Sequence, residues 1–389
     1  LNILTRINSN YINVRFYYKP IFIDTPMQGN YKQIHGYFSN EQWPLPQLVA
    51  KSDQANRKDQ GNQILANEWM DSKDVLKLKM KIVAQLIQKS KHCIAYTGAG
   101  LSRASGIPDY ATKAQNSVST TKKITSSLDA EPTYSHRVLT AIERAGFLKL
   151  FVQQNHDGLP QKSGFPQHKM NEIHGAWFDP SNPVVQFSGN LRGDLFQQMI
   201  ENEKQADLCL CLGTSLSGMN ADRMAKTPAE KMLKQKALGT VIINLQQTSL
   251  DQKCAIRAWG VLDEAMAMLA QELQLKIDLT SLAPQVPQCG NRFLVPYDQN
   301  GQPSKVKTIL DLRPGQRIKI APKEACNAEM GGMVIRQNEA GDYLINLEGQ
   351  KYCSILGRWW VTEAIAGQLT QLPIVNENKV EQFQQNMKK

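Results

Sequence analysis

Long hydrophobic runs are missing from this chain. Nothing in its 389 residues approaches the ~18 consecutive apolar positions of a membrane-spanning helix, so no membrane segment is expected. Blocks of like charge are missing as well. The formal charge of +10 is spread along the whole length, which argues against a concentrated basic stripe and leaves no strong nucleic-acid signal. The seven cysteines include no CxxC pair, and Cys93, Cys209 and Cys211 fall inside apolar runs. That is the pattern of buried free thiols in a reducing intracellular compartment, cytoplasmic or cytoskeletal ahead of nuclear or mitochondrial. Residues 1–23 lack acidic side chains and carry Arg6, Arg15 and Lys19, a weak echo of a mitochondrial transit segment. The first residue is Leu1 rather than Met, so the chain reads as processed or incomplete. A hydrophobic content of 41% is slightly low for a wholly globular chain and implies segments that pack no core of their own.

Composition divides what is there into an arm, a core and a small second domain. Residues 1–70 lack sustained periodicity, are broken by Pro20, Pro26, Pro44 and Pro46, and scatter aromatics such as Tyr17, Phe38 and Trp43. Such an extended arm either lies over its own globular body or is ordered by a neighbouring protein. Residues 71–280 alternate apolar strand-like runs with helical patterns, the signature of an α/β fold with a doubly wound, Rossmann-like parallel sheet. Asp71 or Ser72 caps a first helix bearing Val75, Leu76, Met80, Val83 and Ile87, which leads into a buried strand at 93–97. Residues 281–300 read as a linker with Pro284, Pro287 and Gly290. Five short strands (308–312, 316–320, 332–337, 343–347 and 352–355) then suggest a small SH3-like β-barrel over 301–366. Trp359 and Trp360 read as barrel core, as contact with the larger body, or as a peptide-binding aromatic patch. The tail, 367–389, is polar and carries no packing signal.

The stretch that organises the rest is Ile94-Ala-Tyr-Thr-Gly-Ala-Gly-Leu-Ser-Arg-Ala-Ser-Gly-Ile-Pro-Asp-Tyr110. After the strand, Gly98 and Gly100 let the backbone turn sharply and approach a ligand without a Cβ in the way. Ser102 and its small neighbours suit a helix start, where free N–H groups welcome a pyrophosphate. Strand, glycine turn and helix start together describe a dinucleotide cradle.

Gly98, Ala99, Gly100, Ser102, Ser105, Gly106, Ile107, Pro108, Asp109 and Tyr110 match the GAG-x-S-x-x-SGIPD-aromatic hallmark, and here the chain resembles the sirtuin family of NAD-dependent protein deacylases. Other matches follow in family order: Gln154, Asn155, Asp157 and Gly158 of Q-N-x-D-G-L, His174-Gly175, then Gly213, Thr214 and Ser215 of G-T-S-L, and Asn244 of I-N-L. The resemblance implies NAD as cofactor, bound by Gly98, Ala99, Gly100, Ser102, Ile107, Asp109, Tyr110, Gln154, Asn155, Asp157, Gly213, Thr214, Ser215 and Asn244. It assigns catalysis to His174, as base toward a ribose hydroxyl, with Asn155 and Asp157 beside it. His136, in a helix opening at Glu131-Pro-Thr-Tyr-Ser-His136, reads instead as a packed structural histidine. The polar loop from Ala111 to about Ser127 stands where sirtuins carry their flexible cofactor-binding loop.

Departures from the family pattern cluster on the substrate side. Only Ala176–Asn182 separate Gly175 from Pro183-Val-Val-Gln-Phe187, where sirtuins insert a zinc module with two cysteine pairs, so no metal is expected. Ala111 replaces an arginine, Phe187-Ser188-Gly189 replaces F-G-E, Ser217-Gly-Met-Asn220 lacks the usual valine and proline, and Pro160 replaces a histidine. The resemblance therefore implies a protein lysine deacylase with a degenerate peptide cleft and an acyl-lysine protein as substrate. A weak or inactive structural subunit of a larger assembly, and an NAD hydrolase or ADP-ribosyl transferase, are the alternatives. Protein partners are expected through the arm and the β domain.

Overall fold

The computed structural model describes residues 32–40, 42–57, 64–108, 116–118, 125–126, 128–186, 189–280, 285–321 and 330–377. The arm contributes α1 (Lys32–His35), β1 (Gln47–Ala50) and β2 (Glu68–Met70). The central domain follows as α2 (Lys73–Lys89), β3 (Cys93–Thr97), α3 (Tyr134–Arg144), β4 (Leu148–Gln153), α4 (Leu159–Lys162), β5 (Met170–Glu172), α5 (Gly193–Gln205), β6 (Leu208–Leu212), α6 (Arg223–Leu233), β7 (Gly239–Ile243), β8 (Ile256–Ala258) and α7 (Leu262–Glu272). Six of these strands form one parallel sheet in the order β5-β4-β3-β6-β7-β8. Counted along the chain that is 3-2-1-4-5-6, the order of the Rossmann fold.

Both faces of the sheet are covered, which is why its strands are apolar throughout rather than alternating. Cys93 and Ala95 pack with Leu76, Met80 and Ile87 of α2, Val138 and Ile142 of α3, and Met266 and Leu269 of α7. Ile94 and Tyr96 point the other way, against Met199 of α5 and Met224 and Ala225 of α6. Burying one such Leu, Ile or Met contributes about 1.5–3 kcal/mol. Ser72 caps α2, its hydroxyl accepting from Val75 N at 3.4 Å. His136 is fully buried at the start of α3, where it completes a capping box with Thr133, and burial holds its pKa down to about 3. No helix among the described residues is long and apolar enough to cross a membrane.

The described part of the arm lies over its own body. Tyr37 N and Phe38 N donate to Cys254 O and Ala255 O, both at 2.9 Å. Gly36 (φ +92°) makes that approach sterically feasible, since a Cβ there would sit 2.6 Å from Ile256 Cα. Beneath the arm lies a buried ionic knot. Lys79 Nζ donates to Asp71 Oδ2 at 2.6 Å, and the same carboxylate oxygen accepts from Trp259 N at 2.8 Å. Trp259 Nε1 in turn donates to Ile34 O at 2.7 Å. Residues 1–31, including the apolar runs near Val14 and Ile23, lie outside the described residues.

The C-terminal domain is larger than its sequence pattern suggests. It comprises β9 (Arg292–Tyr297), β10 (Pro303–Asp311), β11 (Arg317–Ile320), β12 (Gly331–Gln337), β13 (Tyr343–Leu347), β14 (Ser354–Leu356), α8 (Arg358–Ala366) and β15 (Ile374–Asn376). Its sheets, β10-β9 and β14-β13-β12-β11-β15, enclose one apolar core in a barrel-like arrangement. The reading of 281–300 as linker is corrected by β9, whose Phe293, Val295 and Tyr297 are buried. The reading of 367–389 as an unpacked tail is corrected by Leu369, Leu372, Ile374 and Val375, all buried, with β15 closing onto β11. Phe293, Val295 and Tyr297 alternate at the strand period of two, whereas Leu369, Leu372, Ile374 and Val375 follow no single period. Trp359 and Trp360 are core residues on α8, not an exposed peptide-binding patch.

Removing Asp71 leaves a fully buried ammonium without its counter-ion. Asp71→Ala is expected to cost about 3–5 kcal/mol, measured as a shift in the urea unfolding midpoint.

Candidate functional site

In a sheet of this order, the two strands whose connections depart in opposite directions are β3 and β6, and a crevice opens beyond their carboxyl ends. Here that crevice is floored by backbone. Gly98 N donates to Leu212 O at 3.2 Å and Gly100 N to Gly213 O at 2.9 Å. A Cβ on Gly98 or Gly100 would sit 2.9 or 2.8 Å from Gly213 O, and one on Gly213 (φ +59°) 2.6 Å from Leu101 N. The expected α-helix start is instead a 3-10 turn over Ala99–Ser105, ended by Gly106 in the left-handed conformation.

Polar side chains from the turn just past β4 lock the neighbouring loops to this floor. Gln154 Nε2 donates to Thr97 O (3.2 Å) and Thr214 Oγ1 (2.9 Å). Asn155 Nδ2 donates to Gly98 O (3.2 Å) and Ser102 Oγ (3.0 Å). Ser102 Oγ donates to Asp157 Oδ2 at 2.5 Å, and Asp157 Oδ1 accepts from Leu159 N at 3.1 Å. Burial pushes the Asp157 carboxyl above its ordinary pKa, against those two hydrogen bonds. On the far side, Asn244 Nδ2 bridges Thr214 O and Gln246 O. Tyr96, in mid-sheet, donates its hydroxyl to Asp222, whose other oxygen collects Gly218 N and Met219 N. The Gly213–Asn220 loop is thereby held from both ends.

His174 stands just past β5. Burial, and then the neighbouring His156 imidazole, hold its pKa down to about 4, with a hydrogen bond to the Gln154 backbone opposing. It is a neutral imidazole across the physiological range. Gly175 (φ +96°) passes so close to Pro183 that a Cβ would lie 2.4 Å from its carbonyl oxygen. Val185 N donates to His174 O at 2.9 Å, and Ala176 N to Asn182 O at 2.8 Å. The short 176–182 connection is stiffened by buried groups of its own: Asp179 accepts from Ser181 N and Oγ, and Asn182 Nδ2 donates to Glu172 O. Pro183–Gln186 is not a strand. Among the described residues no group of three His, Cys, Asp or Glu side chains is placed to hold a metal ion.

His174, Asn155, Asp157, Gly98, Ala99, Gly100, Ser102, Ile107, Gln154, Gly213, Thr214, Ser215 and Asn244 all line one cavity of about 1420 Å³. Asp109 and Tyr110, with Ala111, Phe187 and Ser188, lie outside the described residues. Asp157, Gln154 and Asn244 line the cavity while the Asp157 carboxylate and the amide nitrogens of Gln154 and Asn244 are bonded to neighbouring loops, so they shape the wall as much as they offer it to a ligand. Sequence reasoning missed Arg57 and Glu68, which the arm brings to the same cavity, and gave His156 and Trp177 no role. The two arm residues carry no local signal, because long-range contacts of Asn56, Ala66 and Glu68 with Gln246 and Gln247 deliver them. His156 was legible beside Asn155; its Nδ1 shares a 2.8 Å hydrogen bond with Gly175 O and its ring lies 5.7 Å from that of Trp177.

No family model matches the chain. Over 257 residues it is 30% identical to NAD-dependent protein deacetylase SRT1 of Arabidopsis thaliana, covering 54% of this chain and 52% of that protein. Over 282 residues it is 28% identical to NAD-dependent protein deacetylase sirtuin-7 of Bos taurus, covering 59% of this chain and 68% of the relative. A solved structure described as "Sir2-p53 peptide-NAD+" aligns with 50% of this chain and 98% of its own, at 22% identity and a TM-score of 0.43. The chain spans about half the length of the Arabidopsis thaliana and rice relatives it matches.

Because the folded pKa of His174 lies below its ordinary 6.5, the folded state binds this proton less readily than the unfolded one. Stability present above pH 6.5 is expected to fall as the pH drops toward 4, with buried His35 and His136 adding to the loss. An NMR titration of the imidazole carbon-bound protons, with His174→Gln to assign the resonance, should place the His174 midpoint near 4 rather than 6.5.

Proposed function

We propose that this chain is a member of the sirtuin family, as its similarity to curated NAD-dependent deacetylases suggests, and that it is an NAD-dependent protein lysine deacylase acting in the crevice beyond β3 and β6. One observation carries the reading: His174, Asn155, Asp157 and the Gly98–Ser102 turn, far apart in sequence, face a single cavity. Its curated relatives are named as NAD-dependent protein deacetylases, which supports the same chemistry.

The residues present suit a dinucleotide. Gly98, Gly100 and Gly213 leave bare backbone at the strand ends, and Ser102, Thr214 and Ser215 place hydroxyls around it. Small-molecule sites usually enclose about 300–1,000 Å³, so about 1420 Å³ leaves room for an acylated side chain beside the nucleotide. When bound, NAD supplies an electrophilic ribose carbon with nicotinamide as its leaving group. The chain's own part is positional and acid–base. His174, already neutral, takes a ribose hydroxyl proton onto an imidazole nitrogen, a general-base role worth about 10²–10⁴-fold. Asn155 and Asp157 hold Ser102 and the glycine turn rigid, so the site needs little rearrangement when the nucleotide arrives. Trp177 and Val184 form an apolar rim that helps exclude water.

Plain NAD hydrolysis is the second reading. It is favoured by Val185, whose N–H is spent on His174 O in a segment that is not a strand. A peptide adding itself there as a strand finds one backbone donor fewer.

Mass spectrometry of NAD turnover, with and without an acetyl-lysine peptide, separates these readings. Peptide-dependent acyl transfer to ADP-ribose is expected. Free ADP-ribose alone would favour hydrolysis, and NAD binding without any product would leave a structural subunit. His174→Ala should lower turnover by about 10²–10⁴-fold while NAD binding, read by calorimetry, persists.

A further inference from the structure

We propose that the C-terminal β domain is an integral support of the active centre, with Glu363, Trp359 and Phe178 as positioning residues that hold His174 by gripping the chain on both sides of it. The kinetic part of this inference rests on the deacylase reading; the structural part does not.

His174 follows a weak piece of sheet. β5 is the outermost strand, three residues long, and among the described residues it pairs with β4 alone. A general base has to be held to within about an ångström of its working position, since a misplacement of that size costs about 10²-fold in rate. The sheet by itself gives the residue after β5 no such fixity.

The β domain supplies the missing hold. Upstream of His174, the buried carboxylate of Glu363 on α8 accepts the backbone N–H of Gln167 and that of His168 (3.0 Å), and pairs with His168 Nδ1 at 2.7 Å. Gln167–Lys169 is the 3-10 turn that runs straight into β5. Downstream, Phe178 leaves the central domain and joins the apolar core of the β domain, its ring centroid 5.3 Å from that of Trp359. Gly357 N fastens the same residue by donating to Phe178 O at 3.0 Å. The rings of Phe178 and Trp359 also bear on Gly158, where a Cβ would meet them at 2.8 and 3.2 Å. Gly158 closes the turn that carries Asn155 and Asp157. One wedge of aromatic rings thus backs both loops that frame the chemistry.

The test uses the full chain and two conservative variants. Glu363→Gln keeps the side-chain shape and removes the charge, and Trp359→Phe keeps an apolar ring of smaller reach. In each, hydrogen exchange of residues 170–178 should quicken about tenfold or more, and the His174 titration should move from about 4 toward 6.5. Turnover number should fall about 10–100-fold, with the KM for NAD unchanged within about twofold. Unchanged exchange and unchanged His174 titration in both folded variants would overturn the proposal. So would a loss of thermal stability alone, with the histidine titrating as before. A wild-type chain that binds NAD yet yields no product refutes the deacylase reading instead, while exchange and titration still decide this one.

Discussion

The contact on which the whole arrangement depends is backbone against backbone, where the end of β3 meets the end of β6. Gly100 N reaches Gly213 O, and at three positions there is no space for a methyl group. This closeness keeps side chains out of the strand ends and so leaves a crevice rather than a packed seam. It also makes a single rigid floor, to which Gln154, Asn155 and Asp157 tie the adjoining loops through amide and carboxylate hydrogen bonds. Loosening the floor would release each of those loops.

Away from the floor the site is built differently. The 174–186 segment has little regular structure and draws its order from buried polar groups. Glu172, raised to about 8 by burial and by Asp179, accepts hydrogen bonds from Gln153 and Gln167. Asp179 also lies 3.7 Å from Arg192. Buried polar groups of this kind are costly unless every partner is present, so the segment tolerates substitution poorly despite its irregular backbone. The short 176–182 connection reaches across to a separate apolar core through Phe178.

Much of the central domain was legible because its signals are local. Strand 93–97 needs only the short apolar run Cys93–Tyr96 closed by Thr97, and the glycine turn, the Gln154–Asp157 segment and His174 follow from short motifs. The order of strand ends along the chain was enough to bring the described candidates to one cavity. What escaped were features set at long range. Glu68 and Arg57 line the cavity through arm packing, and the arm shows no periodicity. β15 is a thin pattern stabilised by pairing with β11, and the helical Arg358–Ala366 segment carries tryptophans that suit a strand as well. The expected helix start takes the form of a 3-10 turn over Ala99–Ser105, ended by Gly106 in the left-handed conformation.

The placement of the arm has a consequence for how the chain is made. Tyr37 and Phe38 are synthesised well before the Cys254–Trp259 edge of the sheet on which this part of the arm rests. Until then the arm cannot dock on that edge, and the Asp71 carboxylate that pairs with Lys79 lacks the Trp259 backbone N–H it accepts. The nascent polypeptide must therefore carry an undocked aromatic segment until that edge has been made, a period in which chaperone capture competes with self-association.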